Sequence, residues 1–179
     1  MPDSGDTGDF LFREAELSDG AIIHRWLSAP HVTRWTHRVF STISRALDGA
    51  SPGAESMLYI VEFAGGEIGC AHVYSAHGDP NWTAISDVTA QTRAIDFLIG
   101  EADFLNRKIG QAMLRALAGK IFRDTDTDTD TDRIVACPHP DNWPAVIALK
   151  RAGFREKGRH PIPTMNAMYL TVTRQTFKG

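Results

Sequence analysis

Residues 92–117 read as a strand, a short basic loop and a helix in direct succession, and that order constrains the chain more than any other stretch. The run Thr92-Arg-Ala-Ile-Asp-Phe-Leu-Ile-Gly100 is mostly apolar, as a strand inside a sheet would be. The loop Leu105-Asn-Arg-Lys-Ile-Gly110 follows, with Arg107 and Lys108 adjacent. Beyond it, Ile109, Met113, Leu114, Leu117 and Ile121 fall on one helical stripe. A helix opening directly after a basic loop offers unpaired N–H groups, and the positive end of its dipole, to an anion. The arrangement predicts a phosphate pocket over residues 107–111, Gln111 included, and hence a phosphate-bearing cofactor.

The flanking sequence supplies the rest of a mixed domain. Phe10 to Arg13 reads as a first strand. Ser18 suits the N-cap of a helix that buries Ile22, Ile23, Trp26 and Leu27 and ends at Pro30. Residues 43–47 form a weak helical pattern and residues 50–55 a loop. Residues 57–63 and 67–74 are strand-like and meet at Gly65-Gly66, a hairpin signal. Residues 77–81 are turn-rich. A short strand over 133–137, a helix over 142–152 and a closing strand over 165–173 complete the reading. Hairpins first and strand–helix alternation later predict one α/β (α+β) domain over residues 10–179.

At 179 residues and 42% apolar content, one core is the expectation, and no apolar run approaches the roughly 18 residues of a membrane span. The first nine residues are polar and acidic, the reverse of a secretion signal, and predict a disordered tail. Cys70 and Cys137 form neither a disulfide framework nor a metal spacing, which suits a reducing cytoplasm. The Thr-Asp tract over 124–132 carries five acids, so the rest of the chain sums to +2 against an overall −3. With no central Gly and no distal Glu it lacks a calcium-loop pattern, and it reads as a solvated loop. His24, His31, His37 and His139 match no zinc spacing, so no metal is expected and these histidines read as solvated. Trp26, Trp35 and Trp82 read as core residues, and no basic stripe supports nucleic-acid binding.

The order of strand, phosphate loop, helix, strand and Asn142-led helix ending in Ala152-Gly-Phe154 resembles the GNAT acyltransferase superfamily. Within it the chain is similar to aminoglycoside 6'-N-acetyltransferases. That likeness rests on Ile95-Asp-Phe-Leu-Ile-Gly-Glu101, Pro138-His139 before Asn142, Trp26-Leu27 and Thr173-Arg-Gln-Thr-Phe177. It runs over roughly residues 10–177. The resemblance implies a GNAT-like domain whose mixed sheet splays near Asp96, with helices on both faces. It also implies acetyl-CoA as cosubstrate, no metal, a small amine as partner and a monomer or homodimer.

The same resemblance assigns roles to residues. Asp96 matches the family's catalytic Asp; read from the residues alone, it is either a general base for the amine or a carboxylate paired with a neighbour such as Arg93. Phe97 or Leu98 would supply an N–H to the oxyanion, and Leu98, Ile99 and Gly100 would hold the pantetheine arm. Arg107, Lys108, Ile109, Gly110 and Gln111 would take the pyrophosphate, with Asn142 and Leu149 also beside the cofactor. Two departures stand out. Lys108 replaces a loop Gly, which costs about 1 kcal/mol if φ is positive there. Leu149 replaces a Tyr that would protonate the leaving thiolate.

Substrate contacts are expected from residues 31–40 and 77–87, with Trp35, Asp79 and Asp87 as candidates. The resembling enzymes carry acids where this chain has Thr89, Ala90 and Cys137. An aminoglycoside 6'-amine is therefore the first expectation for the acceptor. A siderophore hydroxylamine or another small amine is the second, and a degenerate acetyl-CoA-binding protein without catalysis the third.

Overall fold

The computed structural model describes residues 10–35, 43–47, 56–124, 130–162 and 165–179. Seven strands form one sheet in the order β1-β2-β3-β4-β5-β7-β6. The strands are β1 Leu11–Glu14, β2 Met57–Phe63, β3 Gly66–Ser75, β4 Thr92–Ile99, β5 Arg133–Ala136, β6 Arg155–Ile162 and β7 Met165–Thr173. The helices are α1 Gly20–Leu27, α2 Pro30–Thr33, α3 over residues 43–47, α4 Ile109–Arg123 and α5 Trp143–Arg151. All described strand pairs are antiparallel except β4 with β5.

Alternation along the strands sorts the core into two layers. Tyr59, Val61, Ala71, Val73 and Ile95 pack beneath α4 and α5 with Met113, Leu114, Leu117, Val146 and Leu149. Leu58, Ile60, Cys70 and Leu98 face the other way and meet Ile23, Trp26, Leu27, Val32 and Ile43 of the first three helices. On that second face, the segment between β3 and β4 covers the sheet with fully buried Trp82, which packs with Tyr74, Ala94, Val135 and Tyr169. A one-residue slip in β4 would exchange Ile95 for Asp96 in the α4 layer, so the register is firmly specified. Helices therefore cover both faces, as expected.

Several local expectations are corrected. Ser18 caps nothing: a 3-10 turn, Leu17–Asp19, precedes α1, and it is closed by a reciprocal capping box between Glu16 and Asp19. Ser28 ends α1, and Pro30 begins α2 at its first position, where its missing N–H costs nothing. The hairpin turn is Ala64-Gly65, with φ of 52° and 79°, and Gly66 already belongs to β3. Residues 155–162 form an edge strand that the pattern did not announce. The expected tail over residues 1–9 and most of the Thr-Asp tract, 125–129, lie outside the described residues. Where the tract returns, Arg174 holds it, donating to Asp130 at 2.6 Å and to the Thr131 carbonyl.

Candidate active site

The pairing of β4 with β5 ends early and creates the site. Register runs only from Thr92↔Arg133 to Ala94↔Val135, after which the strands separate. On its other side β4 stays paired with β3 as far as Gly69↔Ile99. Gly100 N–H donates to Ile68 O at 2.8 Å, and Ala76 N–H to Thr92 O at 3.0 Å. Antiparallel alternation then makes 70/98 and 72/96 hydrogen-bonded pairs. The N–H and C=O groups of Ile95, Phe97 and Ile99 consequently face away from β3; Ile95 still meets the end of β5, whereas Phe97 and the N–H of Ile99 face the opening. The N–H of Leu98 is committed to β3, so of the two candidate oxyanion donors only Phe97 has an N–H directed at the gap.

A cleft of about 690 Å³ follows this opening. Asp96, Phe97, Leu98 and Ile99 line it from β4, Lys108 to Gln111 from the start of α4, and Asn142 from the start of α5. Asp96 is 5% exposed and has His72 directly across the ladder. It stands on the opposite face of β4 from Arg93, three residues away.

Helix α4 opens directly after the basic loop. Lys108 is the N-cap of α4 with φ of 61°, and its side chain makes no capping hydrogen bond. The first intrahelical bond is Ala112 N–H to Lys108 O, at 3.3 Å, so the N–H groups of Ile109, Gly110 and Gln111 have no partner from the helix ladder. At α5, Asn142 accepts from the Ala145 N–H at 3.3 Å, and Pro144 occupies the first turn. Asn142 thus caps its helix while lining the cleft.

Four predicted residues stand apart from the cleft. Arg107 is exposed and does not line it. Leu149 is 0% exposed, sealed in the core beneath α4 and α5, and does not reach the cleft wall. Asp79 accepts from the N–H and side-chain amide of Asn81. Asp87 pairs with Arg133 at 2.7 Å and accepts from the Tyr169 hydroxyl at 3.3 Å. Trp35, by contrast, lines the cleft.

Two histidines that read as solvated are part of the wall. His31 Nε2 lies 3.0 Å from the Ile99 carbonyl and donates to it, tying α2 to the open edge of β4. His139 lines the cleft and its ring packs against Trp35, with centroids 5.6 Å apart. No spacing rule would find them, because they meet only when residues 31–35 fold over the β5–α5 loop. Trp143 and Ile147, one turn apart on α5, add an exposed apolar strip at the rim. Among the described residues, no group of three His, Cys, Asp or Glu side chains is placed to hold a metal ion. No helix among them is long and apolar enough to cross a membrane.

Comparison with known proteins converges on one family. Residues 16–162 match the acetyltransferase (GNAT) domain. Aminoglycoside N(6')-acetyltransferase type 1 of Klebsiella pneumoniae is 29% identical over 166 residues, covering 89% of this chain and 81% of that one. The kanamycin resistance protein of Rhizobium radiobacter is 33% identical over 86 residues, covering 48% and 76%. Among solved structures, aminoglycoside acetyltransferase AAC(6')-Ib in complex with coenzyme A and kanamycin superposes with a TM-score of 0.81 at 28% identity, over 94% and 96% of the two chains. The splayed sheet, the open helix N-terminus beside it and this match over most of the length lead to one conclusion: the chain belongs to the GNAT acetyltransferase family.

Proposed function

We infer that this chain transfers the acetyl group of acetyl-CoA to the 6'-amine of an aminoglycoside by direct attack. One observation carries the reading. The end of β4–β5 pairing at Ala94 and Val135 opens a cleft in which Asp96 stands beside the cleft-directed N–H of Phe97. In this reading the pyrophosphate takes the free N–H groups of Ile109, Gly110 and Gln111, with Lys108 supplying charge. The pantetheine arm follows the edge that β5 vacates. The deprotonated amine nitrogen attacks the thioester carbonyl, the C–N bond forms, and the Phe97 N–H receives the developing oxyanion. Asp96 takes the amine proton. Collapse breaks the C–S bond and the electron pair leaves on sulfur. Leu149 has no proton to give that thiolate, which leaves tolerably without help because a thiolate, whose conjugate acid has a pKa of about 8.5, is only weakly basic.

The complexes of AAC(6')-Ib with paromomycin and acetyl-CoA, and with kanamycin and coenzyme A, support both partners. A cytoplasmic enzyme is the consistent setting, since Cys70 and Cys137 are buried and joined in no disulfide, and burial pushes the Cys70 thiol up to about 12. A second reading has its own observation. Asp96 is the one carboxylate among the described residues lining the cleft, beside cationic Arg34, Lys108 and Arg151. That balance favours an acceptor with fewer positive charges, such as a hydroxylamine or a simple amine. A thiol-release assay with acetyl-CoA and a panel of kanamycin, polyamines, N-hydroxylated lysine and short peptides decides between them. Kanamycin turnover at micromolar KM supports the first reading, and turnover confined to hydroxylamines replaces it with the second.

A further inference from the structure

His72 is 2% exposed and lies directly across the β3–β4 ladder from Asp96. Because the two form a hydrogen-bonded pair, their side chains rise from one face of the sheet with Cα atoms roughly 5.5 Å apart. Two contacts fix the ring. Ser56 Oγ lies 2.7 Å from Nε2, and the Tyr74 ring stacks on the imidazole at 4.7 Å and 21°. Nδ1 differs: it is buried and has no hydrogen-bond partner among the described residues. A nitrogen shut away from water without a partner is costly, so its surroundings must account for it.

Asp96 provides the account. A nitrogen lone pair beside a carboxylate is repelled, whereas an N–H is attracted. A serine hydroxyl can donate as readily as it accepts, so Ser56 can donate to Nε2 and leave the ring proton on Nδ1. Burial holds the imidazole below its ordinary range, against the pull of the Asp96 carboxylate; Arg45 of α3 lowers it further and Asp79 of the β3–β4 segment raises it. The folded protein therefore favours the neutral ring.

We propose that His72 is a positioning residue that presents Nδ1–H toward the Asp96 carboxylate and keeps it aimed at the incoming amine. This rests on Asp96 being the base. No bond to His72 forms or breaks: Asp96 takes the amine proton and His72 keeps its own.

Two measurements on the full chain test the proposal. Long-range proton–nitrogen correlation spectra of the wild-type protein should show His72 protonated at Nδ1 and bare at Nε2; the opposite tautomer overturns it. In kinetics, His72→Ala should lower kcat/KM for the acceptor roughly 10-fold or more and move its acid limb upward by about one pH unit, with coenzyme A affinity preserved. His72→Asn, whose amide N–H can replace Nδ1–H, should restore most of the rate and the limb. A His72→Ala enzyme slowed at every pH with its limb unmoved would show a merely structural role and overturn the assignment. Asp96→Asn separates the two layers. If that variant keeps full activity, the base assignment itself falls; if it is inactive while His72→Ala leaves the limb in place, only the role of His72 falls.

Discussion

The indole of Trp26 occupies the space into which a Cβ on Gly100 would project: an ideal Cβ there would lie 1.9 Å from Trp26 Cγ. Trp26 is fully buried, and its Nε1 donates to Glu101 at 2.8 Å, so the ring cannot swing aside without losing that bond. Glu101 is held below the usual carboxylate range by its hydrogen bond from Arg25 and then by that from Trp26. Gly100→Ala should therefore destabilise the fold by about 1–3 kcal/mol through overpacking, and Trp26→Ala by about 3–5 kcal/mol through the cavity it leaves. Urea unfolding midpoints measure both. A Gly100→Ala protein as stable as the wild type would mean that α1 can shift freely over β4.

Asp96→Asn should fold normally, because the amide is isosteric, and lose activity by roughly 10²-fold or more. Circular dichroism and coenzyme A calorimetry check that the scaffold persists, and the thiol-release rate reads the chemistry. Full activity in this variant would move the base elsewhere.

Lys108 is held at φ of 61°, in the left-handed region that L-residues other than Asn rarely adopt. Lys108→Gly should raise stability by about 1 kcal/mol by relieving that strain. The same change should weaken coenzyme A several-fold and flatten the salt dependence of binding, since one cation leaves the phosphate end. Arg107→Ala should do much less, because Arg107 is exposed and does not line the cleft. Equal losses from the two variants would mean that Arg107 reaches the phosphates in the bound state.

Much of this architecture was legible because hydrophobic periodicity reports burial directly. The stripe Ile109, Met113, Leu114, Leu117 and Ile121 gives α4, and the alternation through residues 57–74 gives β2 and β3. Strand β6 escaped for the same reason. Its sequence, Arg-Glu-Lys-Gly-Arg-His-Pro-Ile, lies on an edge, is bulged near Gly158 (φ 110°) and carries charges where a central strand would carry Val or Ile. At the site, Asp96 and the α4 terminus were visible because each departs from its surroundings. Asp79 and Asp87 misled, because a carboxylate in a loop says nothing about whether it faces a cleft or satisfies Asn81 and Arg133. Position 149 misled differently: its helical phase turns the side chain inward onto Met113 and Leu114, whatever a resembling protein places there. His31, His72 and His139 needed the fold itself, since their partners lie 68, 24 and 104 residues away in sequence at Ile99, Asp96 and Trp35.

The pH dependence of stability should fall in two stages as the solution is acidified. His72 has a folded-state pKa below the ordinary imidazole value of about 6.5, so the unfolded chain binds a proton that the folded chain resists. Its contribution is intact above about pH 6.5 and is lost progressively as the pH falls below that value. Asp19 acts at lower pH. Its hydrogen bonds from Arg13, at 2.7 and 2.8 Å, hold its carboxyl below the usual 3.8, with the Glu16 N–H adding to the effect against the opposing cost of burial. That contribution is present above about pH 4 and disappears as the pH drops through the folded-state value. Chemical denaturation at pH 7.5, 5.5 and 3.5 should therefore show decreasing midpoints in the wild type. His72→Gln should flatten the first step and leave the second unchanged, while Asp19→Asn should do the reverse. A first step that survives His72→Gln would assign it to another titrating group and mean that His72 binds protons alike in the folded and unfolded states.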